Sequence, residues 1–161
     1  MPLKRANFLS PDLQKDDDDP VGFGASYDRF GPKIGGDQIG TTLYELPKGE
    51  AICPYHYEYP EEEWLFVVSG TPSVRHPDGE DVLAPGDILC FPSGPTGAHQ
   101  ILNRAEETAR VMMVSTRQTP AMSFYPDSGK VATFTGNEED NVMVRREPEL
   151  DYFDGESAPS T

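Results

Sequence analysis

The sequence predicts an all-β chain closed into a sandwich or barrel, on three observations. Beyond Gly40, β-branched and aromatic residues come in short runs of strand length. Pro and Gly punctuate these runs at intervals of roughly ten residues, with 16 Pro and 15 Gly in a chain of 161. No long helical period competes with them, and many short, evenly spaced strands belong to sandwiches and barrels.

Taken in order, residues 1–35 are rich in Asp, Gly and Pro, and the run Lys15-Asp16-Asp17-Asp18-Asp19-Pro20 cannot hide its charge in a core. This stretch reads as an N-terminal arm of loop and edge, docked through Phe8, Leu9, Phe23, Tyr27 or Phe30. Residues 36–120 read as the barrel core. Its strands are expected at Thr41–Leu46, Ala51–Tyr57, Glu63–Val68, Thr71–Arg75, Asp81–Ala84, Asp87–Phe91, His99–Asn103 and Thr108–Ser115. His76-Pro77-Asp78-Gly79 should close a hairpin, because Pro presets φ and Gly accepts positive φ; Pro85-Gly86-Asp87 reads the same way. Residues 121–161 complete the same single domain, with strands at Lys130–Phe134 and Asn141–Arg145, a flap or dimer contact, and a mobile end from Glu156 onward.

The charge excludes whole classes of partner. With 28 acidic against 13 basic residues the formal net charge is −15, which repels nucleic-acid phosphates and anionic lipid headgroups. Nucleic acid and membrane are therefore set aside in favour of a small molecule. Only Cys53 and Cys90 are present, too few for a disulfide scaffold, so both are expected to be reduced, buried thiols. No run has the length of a signal peptide or a membrane span, and a cytoplasmic location is the default.

Two stretches carry chemistry. In GEAICPYHYEYPEEEWLFVVSG, Gly49–Gly70, a strand would point His56 and Glu58 to one face, and a turn at Tyr59-Pro60 would fold Glu63 back toward them. In GDILCFPSGPTGAHQILN, Gly86–Asn103, a strand and a Pro/Gly-rich loop lead to a second strand opening at His99. Tyr55, Tyr57 and Tyr59 fall opposite the His56 face and suit wall or interface packing. Glu61 reads as a surface charge, and His76, in a hairpin turn, as exposed.

Together the two stretches resemble the signature motifs of the cupin superfamily. Gly49, His56, Glu63 and Gly70 match the first motif, and Gly86, Pro92, Gly94, His99 and Asn103 the second, with a longer gap before His99. The resemblance covers about residues 40–118 and extends to small single-domain cupins of the type 2 kind. It implies a double-stranded β-helix, or jelly-roll barrel, with irregular N- and C-terminal arms. It further implies one divalent ion (Fe, Mn, Zn or Ni) inside the barrel and a homodimer. The ligands it implies are His56, Glu58, Glu63 and His99, with Glu63 preferred to Glu62 by its distance from Gly70. Glu58 departs from the family pattern, which has histidine there. The exchange makes the inner shell formally neutral with a divalent ion, a weaker Lewis acid. Glu58 or Glu63 would move protons in catalysis. The implied function is a metal-dependent enzyme on a small organic molecule, a dioxygenase or an isomerase or lyase. The alternative is a binding or sensing barrel with a degenerate site.

Overall fold

The computed structural model describes residues 2–156, so the expected mobile end lies outside the described residues from Ser157 on. In chain order the elements are β1 (Ser26–Arg29), α1 (Phe30–Ile34), β2 (Ile39–Leu46), β3 (Tyr57–Tyr59), β4 (Glu63–Ser69), β5 (Ser73–His76), β6 (Gly79–Val82), β7 (Ile88–Phe91), β8 (Gln100–Leu102), β9 (Ala109–Thr116), β10 (Ala121–Tyr125), β11 (Lys130–Phe134) and β12 (Val142–Arg145). All strand pairs are antiparallel, in sheets ordered β1-β2-β9-β4-β7, β12-β11-β10-β3 and β6-β5-β8. This is the all-β jelly-roll barrel that the sequence predicts.

Alternation builds the barrel's inside. On β4, Leu65 and Val67 are buried, and on β9, Ala109, Val111 and Met113. With Leu46, Val74, Phe91 and Ile101 they form the core, each large side chain contributing about 1.5–3 kcal/mol on burial. The register of β4 on β9 shifts between Val67 and Ser69. Gly70 follows this irregularity with φ +76°, and a Cβ there would lie 2.7 Å from the Ala109 Cα, so only glycine fits.

The Pro77-Asp78 turn closes β5 onto β6 with His76 opposite Gly79. The N-terminal segment supplies a true edge strand: β1 lies along β2, and Gln14 bridges Tyr27 outside it. Buried Asp28 anchors it, taking Lys33 at 2.6 Å and the Asp12 amide at 2.8 Å. The stretch after Ala121 is neither flap nor loop at its start. Ala121–Tyr125 is β10, a strand alternating buried and outward residues, which links β3 to β11. The cysteines also divide: Cys53 is partly buried, but Cys90 sits on the outer face of β7, where alternation places it, and is exposed. No helix among the described residues is long and apolar enough to cross a membrane.

Candidate metal centre

Backbone pairing brings the two histidines together. His56 and His99 are direct antiparallel partners, each amide donating to the other's carbonyl, at 3.1 and 2.8 Å. Residues so paired project to the same face, and their rings lie 4.8 Å apart. The next pair of residues in the site is set by the same rule. Glu58 on β3 is the register partner of Ser123 on β10, and the Ser123 hydroxyl donates to Glu58 Oε1 at 2.8 Å. On the opposite wall Glu63 is the partner of Phe91, whose ring stacks on His99 at 3.8 Å.

His56, Glu58, Glu63, His99 and Ser123 line one cavity of about 270 Å³, with Tyr44, Ile52, Cys53, Ile101, Met113, Tyr125 and Phe134 completing the walls. Within it, ligating atoms of His56, Glu63 and His99 all lie within 4.8 Å of one another. Glu63 Oε2 is 3.3 Å from His99 Nε2 and 3.9 Å from His56 Nε2. Glu58 Oε1, 3.8 Å from His56 Nε2, stands beside that set rather than within it.

The donor chemistry fits a divalent cation. His56 Nδ1 is 3.0 Å from the Pro54 carbonyl and His99 Nδ1 is 2.9 Å from the Gly97 carbonyl. A carbonyl only accepts, so each Nδ1 carries the hydrogen and each Nε2 is left with a bare lone pair aimed at Glu63. Burial holds His99 neutral, its pKa pushed down to about 3 with help from the neighbouring His56. His56 is also lowered by burial, against the opposing pull of Glu58. Burial, with Glu58 and then Glu61 nearby, raises Glu63 to about 8. Two neutral imidazoles and a carboxyl that lacks a counter-charge are the setting in which a divalent ion gains most.

Four expected positions, His56, Glu58, Glu63 and His99, thus share one cavity, and three of them converge. Glu62 faces away and accepts the Trp64 indole hydrogen at 2.8 Å. Tyr57 stacks on Phe124 with Tyr59 edge-on, outside the cavity. His76 pairs with Asp81 at 3.2 Å, away from the site.

Sequence reasoning missed Ser123, whose alternation with Ala121 and Tyr125 was a usable signal. It also misjudged Glu61, which is half-buried and raised to about 7 by burial and by its hydrogen bond and charge contact with Glu58. Glu61 lies between β3 and β4, where no strand period assigns a face. Cys53 has its thiol 3.5 Å from His56 Nδ1, and burial pushes that thiol's pKa up.

A cupin-domain family model matches residues 42–115. Among solved structures, a cupin-superfamily protein from Silicibacter pomeroyi described as a sugar phosphate isomerase superposes with a TM-score of 0.78. It shares 23% identity over 93% of this chain and 98% of its own. A protein from Acidithiobacillus ferrooxidans, given the same activity provisionally, superposes at 0.75 with 24% identity, over 92% and 86% of the two chains. The polyketide cyclase RemF from Streptomyces resistomycificus superposes at 0.59 with 20% identity, over 73% and 82%. No curated protein sequence matches. The likenesses to solved structures carry the fold, and the family model spans both signature stretches of the site. Residues 42–115 are thus matched by the cupin-domain family, and the fold built around them is that of the cupin-superfamily structures.

Proposed function

We propose that this protein is a metal-dependent enzyme that isomerises a small hydroxy-carbonyl compound by proton transfer. The observation that carries the reading is the position of Glu58, held by Ser123 at 2.8 Å beside the His56, Glu63, His99 set. Isomerase descriptions of the Silicibacter and Acidithiobacillus proteins agree with it.

A divalent ion held by His56, Glu63 and His99 would supply Lewis-acid stabilisation of negative charge on a carbonyl oxygen. The chain does the rest. The Glu58 carboxylate takes the proton from the carbon beside the carbonyl, the C–H electron pair moves toward the carbonyl carbon, and the oxygen takes up the charge. Glu58 then returns the proton to the former carbonyl carbon, while the proton of the neighbouring hydroxyl passes to the charged oxygen, so that the C=O bond forms at the neighbouring carbon. The Ser123 hydroxyl keeps the carboxylate aimed inward, and Ile52, Ile101, Met113 and Phe134 limit water around the reacting carbons. Glu61, beside Glu58, gives the proton a second carboxyl on which to rest.

Elemental analysis of protein purified without chelator tests the metal: about one ion per chain is expected, falling in His56→Ala and His99→Ala. A content well below one, unchanged by either substitution, overturns the reading. Glu58→Gln should retain the ion while abolishing solvent deuterium incorporation into ketose or aldose substrates. A second reading, a dioxygenase, is favoured by the two-histidine, one-carboxylate donor set. Substrate-dependent oxygen consumption with no deuterium exchange would select it.

A further inference from the structure

The face of the β12-β11-β10-β3 sheet that carries Glu58, Ser123 and Tyr125 leads away from the cavity as rows of cross-strand partners. One row runs from Glu58 to Ser123, Ala132 and Met143, and the next from Tyr125 to Lys130 and Arg145. The second row begins in the cavity, since the Tyr125 ring is 6.0 Å from the His56 ring and lines the pocket. It ends in two cations. Lys130 Nζ lies 5.0 Å from the Tyr125 ring centroid, and Arg145 is the direct register partner of Lys130.

Like charges directly opposite on neighbouring strands destabilise a sheet. Among the described residues Lys33, Lys48, Arg75, Arg104, Arg110 and Arg146 each take a carboxylate, and of the bases that do not, Lys130 and Arg145 are the two that face each other across a strand pair. Lys130 and Arg145 take none among the described residues, although acids outnumber bases 28 to 13. Lys130 has only the Tyr125 ring and the Met143 sulfur at 3.9 Å, and Arg145 donates to the Ser128 carbonyl at 2.6 Å. The nearby Glu149 is engaged by Arg146 at 3.7 Å. Two adjacent cations without an internal counter-charge, one row from the reacting groups, are arranged for an anion supplied from outside.

We propose that Lys130 and Arg145 anchor an anionic group of the substrate, a phosphate monoester or a carboxylate, whose carbonyl end occupies the cavity. This rests on the reading of the cavity as the reaction site. Tyr125 links the two ends, its ring forming the wall along which the substrate chain lies. The anchor fixes which end of the substrate enters first and excludes analogues that lack the anion.

Calorimetric titration of the full-length protein with inorganic phosphate, and separately with succinate, tests the anchor in metal-free and Mn²⁺-loaded forms. Saturable binding of phosphate is expected if the group is a phosphate monoester, and of succinate if it is a carboxylate. Lys130→Met and Arg145→Met should each weaken binding about tenfold, the loss of one charge-assisted contact. Lys130→Arg should retain it. Absence of saturable binding of both anions, or unchanged binding in the double variant, overturns the proposal. Mn²⁺ stoichiometry in the same variants should equal wild type, showing that they fold. Failure of the isomerase reading is distinguishable, since deuterium exchange would then be absent while anion binding persisted.

Discussion

Glu63 sets the pH behaviour of the site. Its carboxyl is raised from an ordinary 4.5 to about 8, so in the folded metal-free chain it keeps a proton that the unfolded chain has already lost. Stability therefore falls as pH climbs from 4.5 through 8. His99, lowered from 6.5 to about 3, acts oppositely, removing stability as pH drops below 6.5. Between 4.5 and 6.5 the two oppose each other; above 6.5 the carboxyl acts with no opposition from His99. Thermal melts of chelator-treated protein should show Tm declining from pH 6.5 to 8, with the decline abolished by Mn²⁺. The same proton competes with the ion. Mn²⁺ affinity should rise by up to about tenfold per pH unit toward pH 8 and then level off, one proton leaving per ion bound. Affinity independent of pH across this range would contradict Glu63 as a ligand.

Among the elements, the loop before β8 carries the tightest local constraint. A Cβ on Gly97 would stand 1.9 Å from the Pro92 carbonyl oxygen, and the Gly97 carbonyl is the group that orients His99. Gly97→Ala should lower Tm and weaken Mn²⁺ binding by about tenfold or more, because moving one backbone oxygen turns an imidazole. Equal Mn²⁺ affinity in wild type and variant would show that the loop does not aim the ligand. Legibility in the sequence followed the same division between strand and loop. β4, β7 and β9 could be placed to within one or two residues, since a single buried face leaves a period of two in the chain. The expected strand at Ala51–Tyr57 is instead an isolated bridge at Ala51, another at His56, and β3 from Tyr57 to Tyr59. Pro54 and Pro60 break that stretch, so the histidine pairing is carried by one residue pair. Glu61 escaped because it lies between strands, where period says nothing, and β10 because its short alternation follows a Pro-bearing loop.

The molecule as a whole is shaped by its charge. A net −15 on a domain of this size opposes compaction through self-repulsion, which salt screens over about 10 Å at 0.1 M and about 3 Å at 1 M. Tm should therefore rise with NaCl across that range, measured by calorimetry at pH 6.5 in chelated protein. A flat or falling Tm would mean that the charges are already compensated by their pairing. Ion binding adds to the same balance. At a hundredfold excess over Kd it stabilises the fold by about 2.7 kcal/mol, so chelation should be visible in the same melts. Against these global forces, the carbonyls of Pro54 and Gly97 act over a very short reach. Each sits two residues before the histidine it aims, so the direction of each imidazole travels with a tripeptide. The walls are built separately: substitutions facing the cavity from β10 and β11 change what the barrel accepts, while these two tripeptides, with Glu63 on β4, keep what it grips.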